Sequence, residues 1–334
     1  MLIFATETSC DETSICLMDD GKIIEHVVFS QEIHKKHGGV VPELASRSHL
    51  EIIQNIMVEL LNKHRLRFPD IDIFAATCGP GLIGSLLVGS TFTKSLSLGF
   101  KKPFIPINHL EGHIHSTSFN NKIEYPHIVL LLTGGHTQLY LLRNDKKIEL
   151  LGESVDDAVG EVFDKVAKLM GMPYPGGKEI EKNASFGDEN FFKLPKPLIN
   201  EDTLNLSFSG IKTHVNLLVK KSNINETFKT NLSASFQKTI LDILITKTKK
   251  TLDVLRKKNL KIKQISVVGG VINNKYIRVN FEKFFKKHKI EILYPLNEMM
   301  SDNAAMIAWA CLKNINKNKP DINFKVNPRL SIND

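Results

Sequence analysis

The sequence predicts an α/β protein built from two duplicated lobes. Three observations predict it: a length of 334 residues, a pattern that recurs at a constant offset of 125 positions, and a strand, glycine loop and helix in each half. A chain this long exceeds one ordinary core and suits two domains of roughly 150 residues each. The repeat sets FATETSCDETSICLMDDGKII, Phe4 to Ile24, against the stretch that begins near Val129 and runs on through LLLTGGHTQLYLLRNDKKIEL. Thr8 then falls on Thr133, Ser9-Cys10 on Gly134-Gly135, and Asp20-Gly21-Lys22 on Asp145-Lys146-Lys147. Both copies read as a strand, a short polar or glycine turn, a second strand, a tight turn and a third strand.

Each half later carries a strand that runs into glycines and then a helix: Ile73 to Gly99 in the first, Ile265 to Phe285 in the second. Free backbone N–H groups and the helix dipole make such a junction a cradle for anions, and two lobes of this kind predict a central cleft. Pro42 to His64 has apolar residues at helical spacing and a basic end, and Asp156 to Gly171 opens on acids and stops at glycine. Gly176 to about Leu260 reads as a mostly helical insertion interrupted by the polar LNLSFSGIKTH. The last helix, SDNAAMIAWACLKNI, is expected to take Ser301 as N-cap with Asp302 in its first turn, and residues after Asn316 read as a loose tail. The lobes are expected at 1–108 and 109–299, with a helix at about 300–316 packing back on the first.

Composition narrows the classes of function. The chain is 42% hydrophobic and 24% charged, and no apolar run approaches the roughly 20 residues that cross a bilayer, so no membrane role is expected. MLIFATETSCDE has no basic region before its short apolar run and meets Glu7 and Asp11 at once, so it reads as a first strand and not a signal peptide. Cys10, Cys16, Cys78 and Cys311 form no C-x-x-C pair, which argues against a disulfide framework or thiolate zinc and points to a reducing cytoplasm. The net charge of +8 suits a polyanion such as RNA, although a composition rich in Lys, Asn and Ile reaches the same charge without any such partner.

INHLEGHIHS, Ile107 to Ser116, concentrates three histidines. On a helix His109 and His113 share a face, while His115 points elsewhere. Two imidazoles at this spacing are half a site for zinc or iron(II), and the missing ligand must come from a distance, most plausibly as a carboxylate. A zinc metalloprotease is disfavoured, because its motif places a glutamate beside one histidine. Glu111 lies two residues from each, about 200° round the helix, and so faces away from a shared metal.

Ten blocks in order, from ETSCDETS at Glu7 to SDNAAMIAW at Ser301, give the chain a resemblance to the tRNA N6-adenosine threonylcarbamoyltransferase family. Among the others are HGGVVPELASRSH, GPGLIGSLLVG, NHLEGHIHS, LLLTGGHTQL, DDAVGEVFDKVAKLMG and GGVINN. The family belongs to the actin-like, sugar-kinase and heat-shock ATPase superfamily, whose lobes are ribonuclease H-like. The resemblance implies transfer of a threonylcarbamoyl group from threonylcarbamoyl-AMP to N6 of adenosine 37, 3′ to the anticodon, in tRNAs that read codons beginning with adenine, with release of AMP. It implies one divalent metal per subunit on His109, His113 and Asp302, iron(II) first and zinc(II) as the alternative. It implies a donor site of Leu131, Leu132, Thr133, Gly134, Gly135, Asp164, Gly177 and Asn274, with Glu181 as an addition.

Asp11 is the candidate catalytic base, with Glu12 close by; the competing view is that both only order the turn. His136 and Lys212 lie in matching blocks without an assigned role. Asn273 stands where a small residue is usual, which leaves open whether it or Asn274 meets the donor. Family partners are tRNA, a shorter inactive paralogue of the same fold (TsaB-like) and a small P-loop ATPase (TsaE-like). The paralogue's surface is sought on the helix Pro42 to His64, and tRNA contact on the lysine-rich stretches 247–263 and 283–289, against the plainer view of solvated helix faces. The rivals are an ATP-dependent small-molecule kinase or ATPase of the same superfamily and a non-catalytic scaffold, which would be expected to have lost the metal triad.

Overall fold

The computed structural model describes residues 1–315 and 319–332. In chain order the elements are β1 Leu2–Glu7, β2 Glu12–Asp19, β3 Lys22–Ser30, α1 Pro42–Lys63, β4 Ile73–Gly79, α2 Ile83–Phe100, β5 Phe104–Asn108 and α3 His109–Ser116. The chain continues with β6 His127–Leu132, β7 Thr137–Asn144, β8 Lys147–Glu153, α4 Val159–Leu169, α5 Gly176–Ala184, α6 Ser209–Lys221 and α7 Glu226–Lys257. It ends with β9 Gln264–Val268, α8 Lys275–Lys287, β10 Glu291–Leu293 and α9 Ala304–Lys313. No helix among the described residues is long and apolar enough to cross a membrane.

The strands form two five-stranded sheets of the same order, β3-β2-β1-β4-β5 and β8-β7-β6-β9-β10. In each, the first three strands pair antiparallel and the last two join parallel. The offset of 125 is kept to the residue: Leu2–Glu7 corresponds to His127–Leu132, and Glu12–Asp19 to Thr137–Asn144. Gly79 and Gly269 close or follow equivalent strands, β4 and β9, and both have positive φ, +147° and +98°. A Cβ there would stand 2.0 Å from the Asn327 carbonyl oxygen or 2.3 Å from that of Leu132, so only glycine fits.

The chain divides into Met1–Asn120 with Leu296–Asp334, and Asn121–Pro295. The first unit therefore runs past the expected boundary at residue 108 and includes α3. Side chains of β1 alternate between its two faces. Ile3 and Ala5 pack with Ile307, Ala308 and Cys311 of α9, whereas Leu2 and Phe4 pack with Ile53, Met57 and Leu60 of α1. Both faces are covered, which is why β1 and β4 are almost wholly apolar.

Three local expectations are corrected. Residues 319–332 are not loose: Asp321 N donates to Phe104 O and Asn327 N to Cys78 O, each at 2.9 Å, and Lys94 Nζ donates to Phe324 O. Ile322, Phe324 and Val326 pack on Ala76, Cys78 and Phe104, so this segment closes part of the first core. Residues 316–318, where the helix was expected to end and the tail to begin, lie outside the described residues. α4 starts at Val159 and not at Asp156, because Asp156 is engaged elsewhere: its carboxylate accepts from Phe208 N, Ser209 N and the Ser207 and Ser209 hydroxyls at the head of α6. In the expected helical insertion, residues 185–208 form neither helix nor strand, and SGIKTH begins a helix.

One core histidine sets an acid limit on the second unit. His127 is 1% exposed, with Nε2 at 2.7 Å from Ser266 Oγ, and burial depresses its pKa to about 4. Its folded pKa lies below the unfolded value near 6.5, so the unfolded state takes the proton first as pH falls. Stability from this residue is complete above pH 6.5 and is lost between there and 4, about 3 kcal/mol in all. Urea melts at pH 7.0 and 4.5 are expected to show this loss in the wild type and a flatter dependence in His127→Gln.

Candidate metal centre and donor turn

α3 begins where β5 ends. Asn108 caps it, its side-chain oxygen accepting from Leu110 N at 2.8 Å, while its Nδ2 donates to the Ser331 carbonyl at 2.9 Å. His109 and His113 follow one turn apart, rings edge-on with centroids 4.8 Å apart. Gly112, between them, faces α9: a Cβ there would reach within 2.9 Å of Ile307 Cδ1, so its absence lets the two helices close. That approach brings Asp302 onto the pair, Oδ1 at 3.0 Å from His113 Nε2 and 3.6 Å from His109 Nε2. One ligand atom from each residue lies within 4.8 Å of the others.

Asp302 does not lie in the first turn of α9, nor is Ser301 its cap. Asn303 is, because its extended backbone lets its side chain accept from Met306 N. Asp302 therefore precedes the helix, with its carboxylate turned to the histidines. The third histidine, His115, is buried and its carbonyl accepts from Trp309 Nε1. Glu111 is also buried.

A second carboxylate, not marked by sequence reasoning, stands behind His109. Glu7, the last residue of β1, is fully buried, and its Oε2 is 3.1 Å from His109 Nδ1. Burial pushes the Glu7 carboxyl upward, but the His109 charge and hydrogen bond prevail and hold it below the ordinary value. Burial likewise opposes charge on His109, yet Glu7 and Asp302 outweigh it and raise its pKa to about 9. His113, with one carboxylate beside it, is lowered by burial. Glu7 and Asp302 thus flank His109, one beside each ring nitrogen. Two imidazole nitrogens and a carboxylate oxygen are also the donor set that zinc and iron accept, so the residues fit a divalent metal. The signal for Glu7 in the sequence was an acid at the end of an apolar strand, and nothing local told its partner.

The candidate base lies on the turn between β1 and β2. Cys10 O accepts from His49 Nε2 at 2.9 Å, and Asp11 O from Gln31 N at 3.3 Å. His49 sits within α1, fully buried, with the Thr13 hydroxyl at 2.7 Å from its Nδ1; burial keeps it neutral, with its proton on Nε2. Asp11 and Glu12 are half-buried. The Glu12 carboxyl is held well above its ordinary range by burial, then by the Asp11 and Asp302 charges, and it shares a hydrogen bond with Asp11.

The residues expected at the donor site belong to the second unit. Leu131 and Leu132 are buried in β6, paired with Gln138 and Thr137 of β7. Thr133 closes the turn after it, its Oγ1 accepting from His136 N at 2.9 Å. Gly134 and Gly135 are exposed, with nothing within 4 Å of a Cβ built on either. Gly160, in the first turn of α4, donates its N–H to Thr133 O at 3.3 Å, so the glycine turn abuts a helix N-terminus. Asp164 accepts from Gly176 N at 2.7 Å, next to Gly177. Glu181 accepts from Lys275 N, and Asn274 caps α8 by accepting from Ile277 N, while Asn273 is exposed. Lys212 is paired with Asp157 at 2.9 Å.

Two sheets of identical topology define a duplicated α/β protein of the actin-like class, here carrying a two-histidine, one-carboxylate cluster on the first unit. The fold is shared by full-length HypF in its phosphate- and nucleotide-bound form, with a TM-score of 0.61 at 15% identity over 95% of this chain and 55% of that longer one. It is shared also by component A of (R)-2-hydroxyglutaryl-CoA dehydratase from Acidaminococcus fermentans, with a TM-score of 0.52 at 13% identity over 93% and 96% of the two chains. Residues 22–309 match the family model described as TsaD, tRNA N6-adenosine threonylcarbamoyltransferase. Proteins of that name from Thermosipho africanus and Rickettsia massiliae are 44% and 42% identical, over 99% of this chain and 100% and 98% of theirs. The chain belongs to the tRNA N6-adenosine threonylcarbamoyltransferase family.

Proposed function

We propose that the protein transfers the threonylcarbamoyl group of threonylcarbamoyl-AMP to N6 of the adenosine 3′ to the anticodon, in tRNAs reading codons that begin with adenine, and releases AMP. The observation that carries this is the meeting of His109 and His113 with Asp302 in a chain that matches the family end to end. These three residues would hold one divalent ion, iron(II) first and zinc(II) as the alternative. When bound, such an ion supplies Lewis-acid polarisation of an acyl or phosphoryl oxygen and offsets charge on departing AMP.

The chain's own residues supply the rest. Asp11, on a turn fixed by His49, accepts the proton that the adenine amine loses as it attacks the carbamoyl carbon. The turn of Thr133, Gly134 and Gly135, bare of large side chains beside the α4 N-terminus, suits the adenylate phosphate. Leu131 and Leu132 offer strand-end backbone there, and Asp164, Gly177, Glu181 and Asn274 line the ribose and base of the donor. Magnesium sites of kinases are built from carboxylates and water, so a histidine pair disfavours an ATP-dependent kinase.

The partner surface proposed for a paralogue of the same fold is α1 with α2. Leu50 is 69% exposed and Leu98 63%, with Val58, Ile83 and Leu87 also open. A P-loop ATPase completes the set, in the cytoplasm. In the lysine stretches proposed for tRNA, Lys247 takes no part, since it is fully buried and donates to Leu198 O and Thr203 O. The test is incubation of the metal-loaded protein and its partners with threonylcarbamoyl-AMP and unmodified tRNA, followed by mass spectrometry of the nucleosides. Modified adenosine is expected; ATP turnover on a sugar with no tRNA product would overturn the proposal.

A further inference from the structure

A neutral imidazole carries one N–H, and which nitrogen is left to bind a metal depends on what the other one donates to. His109 is placed so that the two nitrogens meet different carboxylates. Nδ1 faces Glu7 Oε2 at 3.1 Å, with Ser9 Oγ at 3.2 Å, whereas Nε2 faces Asp302 Oδ1 at 3.6 Å. Glu7 cannot swing away. Its Oε1 accepts from Ser9 N at 2.6 Å, and its Oε2 accepts from the hydroxyl of Thr77, which lies alongside on the parallel neighbour β4. Every other residue of β1 except Thr6 is apolar, and a carboxylate at 0% exposure is costly unless donors surround it. His113 has no such support, because its buried Nδ1 has no hydrogen-bond partner among the described residues.

We propose that Glu7 is a positioning residue for the metal: by accepting the Nδ1–H of His109 it fixes the tautomer and ring direction that present Nε2 beside Asp302 and His113. This rests on the metal reading given above. The arrangement makes His109 the pre-set ligand of the pair and Thr77 an outer support, two strands and one helix locked together through a single carboxylate. A purely structural Glu7 would tie β1, β4 and α3 together without any effect on metal affinity in a folded protein.

The test uses cobalt(II) and zinc(II) as probes on full-length, metal-free protein, with affinity measured by chelator competition and the visible absorption of the cobalt form as a geometric signature. Circular dichroism and melting establish folding. Glu7→Gln keeps the size but loses the charge, and is expected to bind about 10- to 100-fold more weakly, with an altered cobalt spectrum. Thr77→Val removes only the donor to Oε2, and is expected to weaken binding about two- to tenfold; it decides the matter if Glu7→Gln does not fold. Folded variants with wild-type affinity and spectrum would overturn the proposal while leaving the metal reading standing. Failure of the wild type to bind either ion better than Asp302→Ala would instead overturn both.

Discussion

Replacing Asp302 with alanine is expected to empty the metal centre and lower kcat/KM for tRNA modification by about a thousandfold or more, roughly 4 kcal/mol of transition-state stabilisation. The fold is expected to survive. Asp302 precedes α9 rather than lying in it, its side chain is 21% exposed, and the N-cap belongs to Asn303, so water can take its place. His109→Ala would be a poorer experiment, because it leaves the fully buried Glu7 without its imidazole partner and mixes metal loss with destabilisation. Elemental analysis, circular dichroism and single-turnover transfer on the same Asp302→Ala preparation separate the two. A variant that lacks the metal yet transfers at the wild-type rate would refute a catalytic metal.

Asp11→Asn is expected to reduce the transfer step about a hundredfold or more with metal content unchanged, the loss appropriate to a general base. Glu12 supplies the control. Its carboxyl is pushed well above the ordinary range by burial and by the neighbouring Asp11 and Asp302 charges, which favours the protonated form, so Glu12→Gln keeps the shape of that form and is expected to stay within about tenfold of the wild type. The linkage sign supports a second readout. A carboxyl whose folded pKa lies above its unfolded value stabilises fully only below the unfolded value near 4.5, and that contribution is lost as pH rises through the folded pKa. At pH 7.5 Glu12→Gln is therefore expected to melt at a higher temperature than the wild type. Equal loss of transfer in Asp11→Asn and Glu12→Gln would assign both residues to ordering the turn and leave the base elsewhere.

The duplication was legible because it is local. Alternation of apolar residues and two kinds of tight turn are written in consecutive positions, and β1, β2, β6 and β7 obey the 125-residue offset without a slip. The histidine pair was legible for the same reason, since i and i+4 on a helix need no tertiary knowledge. Asp302 was not: periodicity offered no link to a residue some 190 positions away, and only the resemblance named it. Glu7 escaped for a related cause. Its partners, Ser9, Thr77 and His109, come from the next turn, a parallel strand and another helix. The segment 319–332 looked loose because it has no helical or strand period, yet its backbone groups bond to those of Phe104 and Cys78. Ser301 seemed a natural cap by type, but the backbone turn that makes a cap falls two residues later, at Asn303.

The first unit draws its final helix and its closing segment from Leu296–Asp334, whereas the second is continuous from Asn121 to Pro295. During translation the later unit therefore has all five of its strands available while the earlier one still waits for α9 to cover one face of its sheet. Long-range closure of this kind is the slow step in forming a domain. The order of assembly is thus expected to reverse the order of synthesis. A chain halted before Asp302 presents two histidines and no carboxylate to complete them, so metal retention is expected to distinguish finished molecules from interrupted ones.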